Sequence, residues 1–194
     1  MIIRFSTALT LLPAFFFSFF LGEISAQPKK DAKLQLQEPA LLTSAGQSAD
    51  TQMVKVLLDR NKIAYRFNLM GGPDDLKAVK SLIIVIGGST KGMGAAGIDA
   101  DKEAARVQRL LAKAKELKIP VVGMHIGGKA RRGDLSDRFI NLVVASSSFL
   151  IVVKEGDSDQ LFSRGAAKQN IPLSFINRIS EAQEPLKSIY GKQP

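Results

Sequence analysis

The chain has 194 residues, no cysteine, a single histidine and a formal charge of +9. Without thiols there are no disulfides, no thiolate catalysis and no Cys-ligated zinc or iron–sulfur cluster, and one imidazole excludes a multi-histidine metal centre. Tryptophan is absent and tyrosine occurs twice, so the positive charge lacks the stacking groups of a nucleic-acid interface.

The chain opens with one cation, Arg4, an apolar stretch through Phe20-Leu21, and then Ile24-Ser25-Ala26. That order is a secretory signal peptide, with small residues before the cut. Cleavage after Ala26 removes 26 of 194 residues and leaves 168. The expected product is exported, periplasmic or secreted, and keeps no transmembrane helix. An uncleaved anchor is the alternative, because the apolar stretch approaches the ~20 residues that span a bilayer. The signal holds one cation, Arg4, and one anion, Glu23, so the mature charge is also +9. Residues 27–37, QPKKDAKLQLQ, are polar without a period and read as a linker. Residues 38–194 then form a single α/β domain, a length within the ~100–200 residues usual for one.

From Glu38 onward short apolar runs alternate with helical patterns. Strands are predicted over residues 40–43, 64–68, 81–86, 120–125, 149–153 and 172–176. The runs LIIVI and FLIVV are continuous, as in strands covered on both faces. Helices are predicted over 45–61, 100–117, 135–145, 160–169 and 185–190, with a helical turn over 74–79. In the second long helix Ala104, Val107, Leu110, Leu111 and Ala114 form the apolar stripe. Lys102, Arg106, Arg109, Lys113 and Lys115 are assigned to its solvent side. This rhythm implies a doubly wound, mostly parallel sheet of six strands in order 2-1-3-4-5-6, a flavodoxin-like three-layer α/β/α domain. Ligands of such sheets lie beyond the carboxyl ends of the strands where the winding reverses, here between strands one and three.

Three loops reach that edge. In the first, Ser44 and Gln47 have the spacing of a capping box, with Gly46 between them and Ser48 after. The free N–H groups of this turn are its best seat for an anion. The second, Ile86 to Gly97, is IGGSTKGMGAAG, with Gly88, Ser89 and Lys91 in reach of the same place. It is not a P-loop, since its lysine precedes the last glycines and no Lys-Ser pair follows. Its G-x-G-x-x-G match does not open a helix, so no dinucleotide and no cofactor is assigned. The third carries His125, Lys129, Arg131 and Arg132, three cations suited to carboxylate or phosphate. His125 would be the acid or base of any hydrolase here. Neither Ser44 nor Ser89 sits in G-x-S-x-G, the elbow such enzymes use.

The segments EPALLTSAGQSADTQMVKVLLDR, VIGGSTKGMGAAGIDAD and MHIGGKARRGDLSD together resemble a bacterial family of exported domains, domain of unknown function 6305. The resemblance runs from about Glu38 to Tyr190. It implies export and a single α/β domain and supplies no catalytic residues. The leading expectation is a non-catalytic binding module for a small anionic molecule, using Ser44, Gly46, Gln47, Ser48, Gly88, Ser89, Lys91, His125, Lys129, Arg131 and Arg132, with no metal. The alternatives are a hydrolase using His125, or a basic protein-interaction domain of the cell envelope.

Overall fold

Residues 34–192 are described by a computed structural model; the expected signal peptide and the linker up to Lys33 lie outside them. Six strands form one all-parallel sheet: β1 (Ala40–Ala45), β2 (Tyr65–Phe67), β3 (Ser81–Ile86), β4 (Val121–His125), β5 (Phe149–Val153) and β6 (Leu173–Ile176). Their order is β2-β1-β3-β4-β5-β6, as the βα rhythm predicts. Between them run α1 (Asp50–Arg60), α2 (Thr90–Ala95), α3 (Ala100–Glu116), α4 (Asp134–Val144), α5 (Leu161–Gln169) and α6 (Gln183–Ile189). The turn expected at 74–79 is a 3₁₀ segment, Pro73–Ala78.

Side chains alternate across each strand, which splits the core into two layers. Leu41, Ile84, Ile86 and Val152 face Val107, Leu110, Phe139 and Phe162 on one side. Leu42, Ile83, Val85 and Ile151 face Val54, Leu58, Leu186 and Ile189 on the other. The central strands β1, β3 and β4 are buried at every residue, which explains their unbroken apolar runs. Phe139 and Phe162 are fully buried, and truncating either to alanine would cost about 3–5 kcal/mol.

The domain begins before residue 38. Leu36 is buried in the second layer, and its N–H donates to the Ile189 carbonyl at 2.7 Å. Leu34 packs against the same layer, but two leucines at the end of a polar run are too few to show a period, so this anchoring was not visible in the linker sequence.

Candidate functional site

After β1 the chain turns sharply, with Gly46 at φ 98° and Gln47 at φ 58°. The Gly46 N–H donates to Glu103 Oε1 at 2.9 Å, and Gln47 Nε2 donates to the same oxygen at 3.0 Å. Glu103 comes from the first turn of α3 and is fully buried. Its partner Arg106 donates through Nε to Glu103 Oε2 at 2.8 Å and through Nη2 to Oε1 at 2.7 Å. Arg106 Nη1 and Nη2 also reach the carbonyls of Gly71 and Ser44 at 2.6 and 2.5 Å. A buried charge is tolerated only when paired and hydrogen-bonded, and both members of this pair meet that condition. The turn after β1 therefore does seat a carboxylate, and the carboxylate is the protein's own.

Two expectations change here. Arg106 is buried, not on the solvent side of α3. Helical spacing carries the reason: Glu103, Val107, Leu110 and Ala114 follow one another at three or four residues, so the charged pair sits on the apolar stripe itself. Charge alone hid what the period contained. The capping box is also absent. The first helix starts at Asp50, not near residue 45, and has no side-chain cap. Ser44 remains in β1, where its Oγ accepts from the Ser48 N–H at 3.2 Å, while Gln47 turns to Glu103.

The glycine-rich stretch after β3 is partly helical. Ser89 caps α2, its Oγ accepting from the Gly92 N–H at 3.0 Å. The Gly88 N–H donates to Ser136 Oγ at 2.9 Å, which fixes the start of α4 over the end of β3. A Cβ on Gly92 would overlap the carbonyl oxygen of Gln47, so this glycine lets α2 lie directly on the first turn. Lys91 projects from α2 and is exposed.

His125 ends β4 and is fully buried. Its Nδ1 lies 3.1 Å from the Ile86 carbonyl and its Nε2 lies 3.2 Å from the Gly128 carbonyl. Phe162 covers one face at 5.1 Å between centroids. Burial first, and the nearby Arg132 charge, depress its pKa, outweighing the two carbonyl contacts. Each nitrogen faces a backbone carbonyl, of which the neutral ring can donate to one at a time, and neither faces a space where a substrate proton would sit.

The arginines of the next loop behave differently from each other. Arg132 pairs with Asp137 through Nε at 2.7 Å and with Asp159 through Nη2 at 2.8 Å. It also donates to the Gly156 carbonyl and lies over Phe162. The hydrogen bonds from Arg132 lower both carboxyls, and hold that of Asp159 well below the usual carboxylate range. Arg131 has one acidic neighbour, with its Nε 3.5 Å from Asp50 Oδ2, beyond hydrogen-bond length. That oxygen is buried without a hydrogen bond, and a Cβ on Gly127 would come within 2.6 Å of it. Arg131 is 40% exposed, and Lys129 is exposed. Beside Gly127, a hollow of about 440 Å³ opens between the loops after β4, β5 and β6, with Val153, Glu155 and Arg178 among its walls.

Among the sequence-selected residues, then, Ser44, Gly46, Gln47, Ser48, Gly88, Ser89, His125 and Arg132 are held in internal contacts at this edge. Lys91, Lys129 and Arg131 keep their charges toward solvent. The sequence reading missed Glu103, Arg106 and Asp50. Among the described residues no group of three His, Cys, Asp or Glu could hold a metal ion, and no helix is long and apolar enough to cross a membrane.

These features define a doubly wound α/β domain whose crevice at the winding reversal is filled from within. The chain belongs to the family domain of unknown function (DUF6305), which matches residues 37–190. No curated protein matches. Among solved structures it is similar to a GDSL-like lipase from Bacteroides thetaiotaomicron VPI-5482, at 14% identity and TM-score 0.35, over 77% of this chain and 71% of that one. It is also similar to a mutant of the esterase AlinE4, at 12% identity and TM-score 0.29, over 76% and 80% of the two chains. Both are similarities of chain arrangement.

Proposed function

We propose that this is an exported, non-catalytic binding module for a small anionic ligand at the carboxyl edge of the sheet. The observation that carries the reading is Arg131, 40% exposed, lying against Gly127 of the hollow's wall and with Asp50 as its one acidic neighbour at 3.5 Å. At that length Arg131 makes no hydrogen bond to Asp50, so its donors are open to an arriving carboxylate or phosphate while Asp50, whose Oδ2 is buried, keeps its place beside the guanidinium. Lys129 from the same loop and Lys91 from α2 are exposed and add positive charge to this edge of the sheet. The turn after β1, expected to supply N–H groups, contributes rigidity instead, because Glu103 takes its Gly46 donor. His125 is read as a structural group that ties β4 to the ends of β3 and the Gly128 loop. Export rests on the sequence of the first 26 residues.

The test is thermal shift with phosphates, dicarboxylates and sugar acids at moderate salt. A specific ligand stabilises by mass action, about 2.7 kcal/mol at a hundredfold excess over its dissociation constant. Arg131→Ala should abolish that shift, and Arg109→Ala, on the exposed side of α3, should not. Equal effects from both would identify a diffuse cationic surface and end the proposal.

A further inference from the structure

A larger surface depression lies at the opposite end of the sheet. At the amino ends of β1, β3 and β4 a groove of about 640 Å³ runs between the 3₁₀ segment, the end of α3 and the incoming chain at Gln35 and Gln37. A second hollow of about 420 Å³, under the end of α4, shares Lys118, Ile119 and Pro120 with it. Val79, Leu117, Ile119 and Pro120 give the combined groove an apolar floor. Its rim holds Lys77, Lys80, Lys113, Lys115 and Lys118. Lys77 pairs with Asp74 and Lys113 with Glu116. Lys80, Lys115 and Lys118 have no carboxylate within 4.0 Å among the described residues.

The charge has a partial structural explanation. The α3 helix ends here, and cations near a helix C-terminus offset its dipole, which accounts for Lys113 and Lys115. It does not account for Lys80, which stands ahead of β3. We infer that this groove docks an extended acidic polypeptide segment in which apolar side chains alternate with carboxylates. The apolar side chains would enter the floor and the carboxylates would meet the lysine rim. A planar membrane reaches the rim but does not fill a recess of this volume. A small free anion would use the lysine rim alone and leave the apolar floor of Val79, Leu117, Ile119 and Pro120 uncovered. Nucleic acid would find no aromatic group there. The chain's own residues 27–33, with Lys29, Lys30 and Lys33 against Asp31, have the wrong sign to be the occupant.

The experiment uses the mature protein and a fluorescein-labelled octapeptide alternating Glu and Leu, read by fluorescence anisotropy. One saturable site is expected, weakened at least about tenfold by Lys80→Glu with Lys118→Glu, and also by Lys80→Gln with Lys118→Gln. Arg131→Ala, at the other edge, should leave it unchanged, so this site and the carboxyl-edge site fail separately. Peptides alternating Gln with Leu, or Glu with Ser, should each bind at least about tenfold more weakly. Equal binding of the Glu/Ser peptide would show that the floor is unused and overturn the proposal. So would loss that is the same whichever lysines are changed. Sedimentation with phosphatidylglycerol-containing vesicles that the Glu/Leu peptide does not compete away would assign the groove to a lipid surface instead.

Discussion

The Glu103 carboxylate accepts the Gly46 N–H at 2.9 Å across 57 residues of chain, and Arg106 one helical turn later binds both Glu103 and the Ser44 carbonyl. Through these two side chains α3 holds the turn after β1 and, at Gly71, the loop that leads from β2 to β3. The pair is a clamp on the winding reversal rather than a surface ornament. Removing one member leaves the other charged and buried, which typically costs about 3–5 kcal/mol. Glu103→Ala and Arg106→Ala should each lower the melting temperature by roughly 10 °C or more. The double variant should lose much less than the sum of the two. A loss below about 1 kcal/mol in urea titrations of either single variant would mean that the pair is solvated in solution.

The buried imidazole sets a pH dependence. The folded pKa of His125 lies below its ordinary value of 6.5, so below that pH the unfolded chain takes a proton that the folded protein refuses. Stability is then full above about pH 6.5 and falls as pH drops toward the folded pKa, at up to about 1.4 kcal/mol per unit. The carboxyls paired with Arg132 titrate in a lower range, which leaves the window from about pH 6.5 to 4.5 to the histidine. Urea unfolding across that window should show the slope in the native protein and a flatter one in His125→Gln. Greater stability at pH 5.5 than at 7.5, lost with His125, would mean that the ring is charged between its two carbonyls.

Two glycines that are equivalent in the string GMG are opposite in the fold. A Cβ on Gly92 would overlap the Gln47 carbonyl, whereas a Cβ on Gly94 meets nothing within 4 Å. Gly92→Ala should therefore destabilise by about 1–3 kcal/mol through forced displacement of backbone. Gly94→Ala, inside α2, should be neutral or stabilise by about 0.5–1 kcal/mol. Thermal denaturation of the two variants side by side checks the seating of α2; the same sign for both would refute it.

The expectation of export is open to a direct measurement. Protein recovered from expressing cells should begin at Gln27, as determined by intact mass. A full-length N-terminus that stays with membranes after carbonate washing would establish the anchored alternative.

The layout of this domain was legible because burial on both faces of a parallel sheet leaves long apolar runs. The runs 81–86 and 149–153 coincide with β3 and β5, and the expected strand order is the observed one. Legibility declined where tertiary contacts override local pattern. Glycine-rich composition around Lys91 read as loop, yet Ser89 caps a short helix there. Ser44 and Gln47 have capping-box spacing, yet a carboxylate distant in sequence draws Gln47 away. Glu103 and Arg106 were present on the apolar stripe of α3 by position, and only a partner contributed by another loop turns that position into a buried ion pair. For the carboxyl-edge cations the sequence showed which residues share an edge. It could not show that Arg132 is consumed by Asp137 and Asp159 while Arg131 retains its exposure.

The filled turn after β1 has a consequence for how this edge behaves as matter in exchange. A diffusible anion in such a crevice is present or absent according to its concentration. Glu103 is tethered by its own helix, so its effective concentration is set by the chain and does not respond to dilution. Its departure is possible only with displacement of α3 and loss of the Arg106 contacts to Ser44 and Gly71. At this place occupancy and folding are one equilibrium, and the crevice is saturated whenever the domain is native.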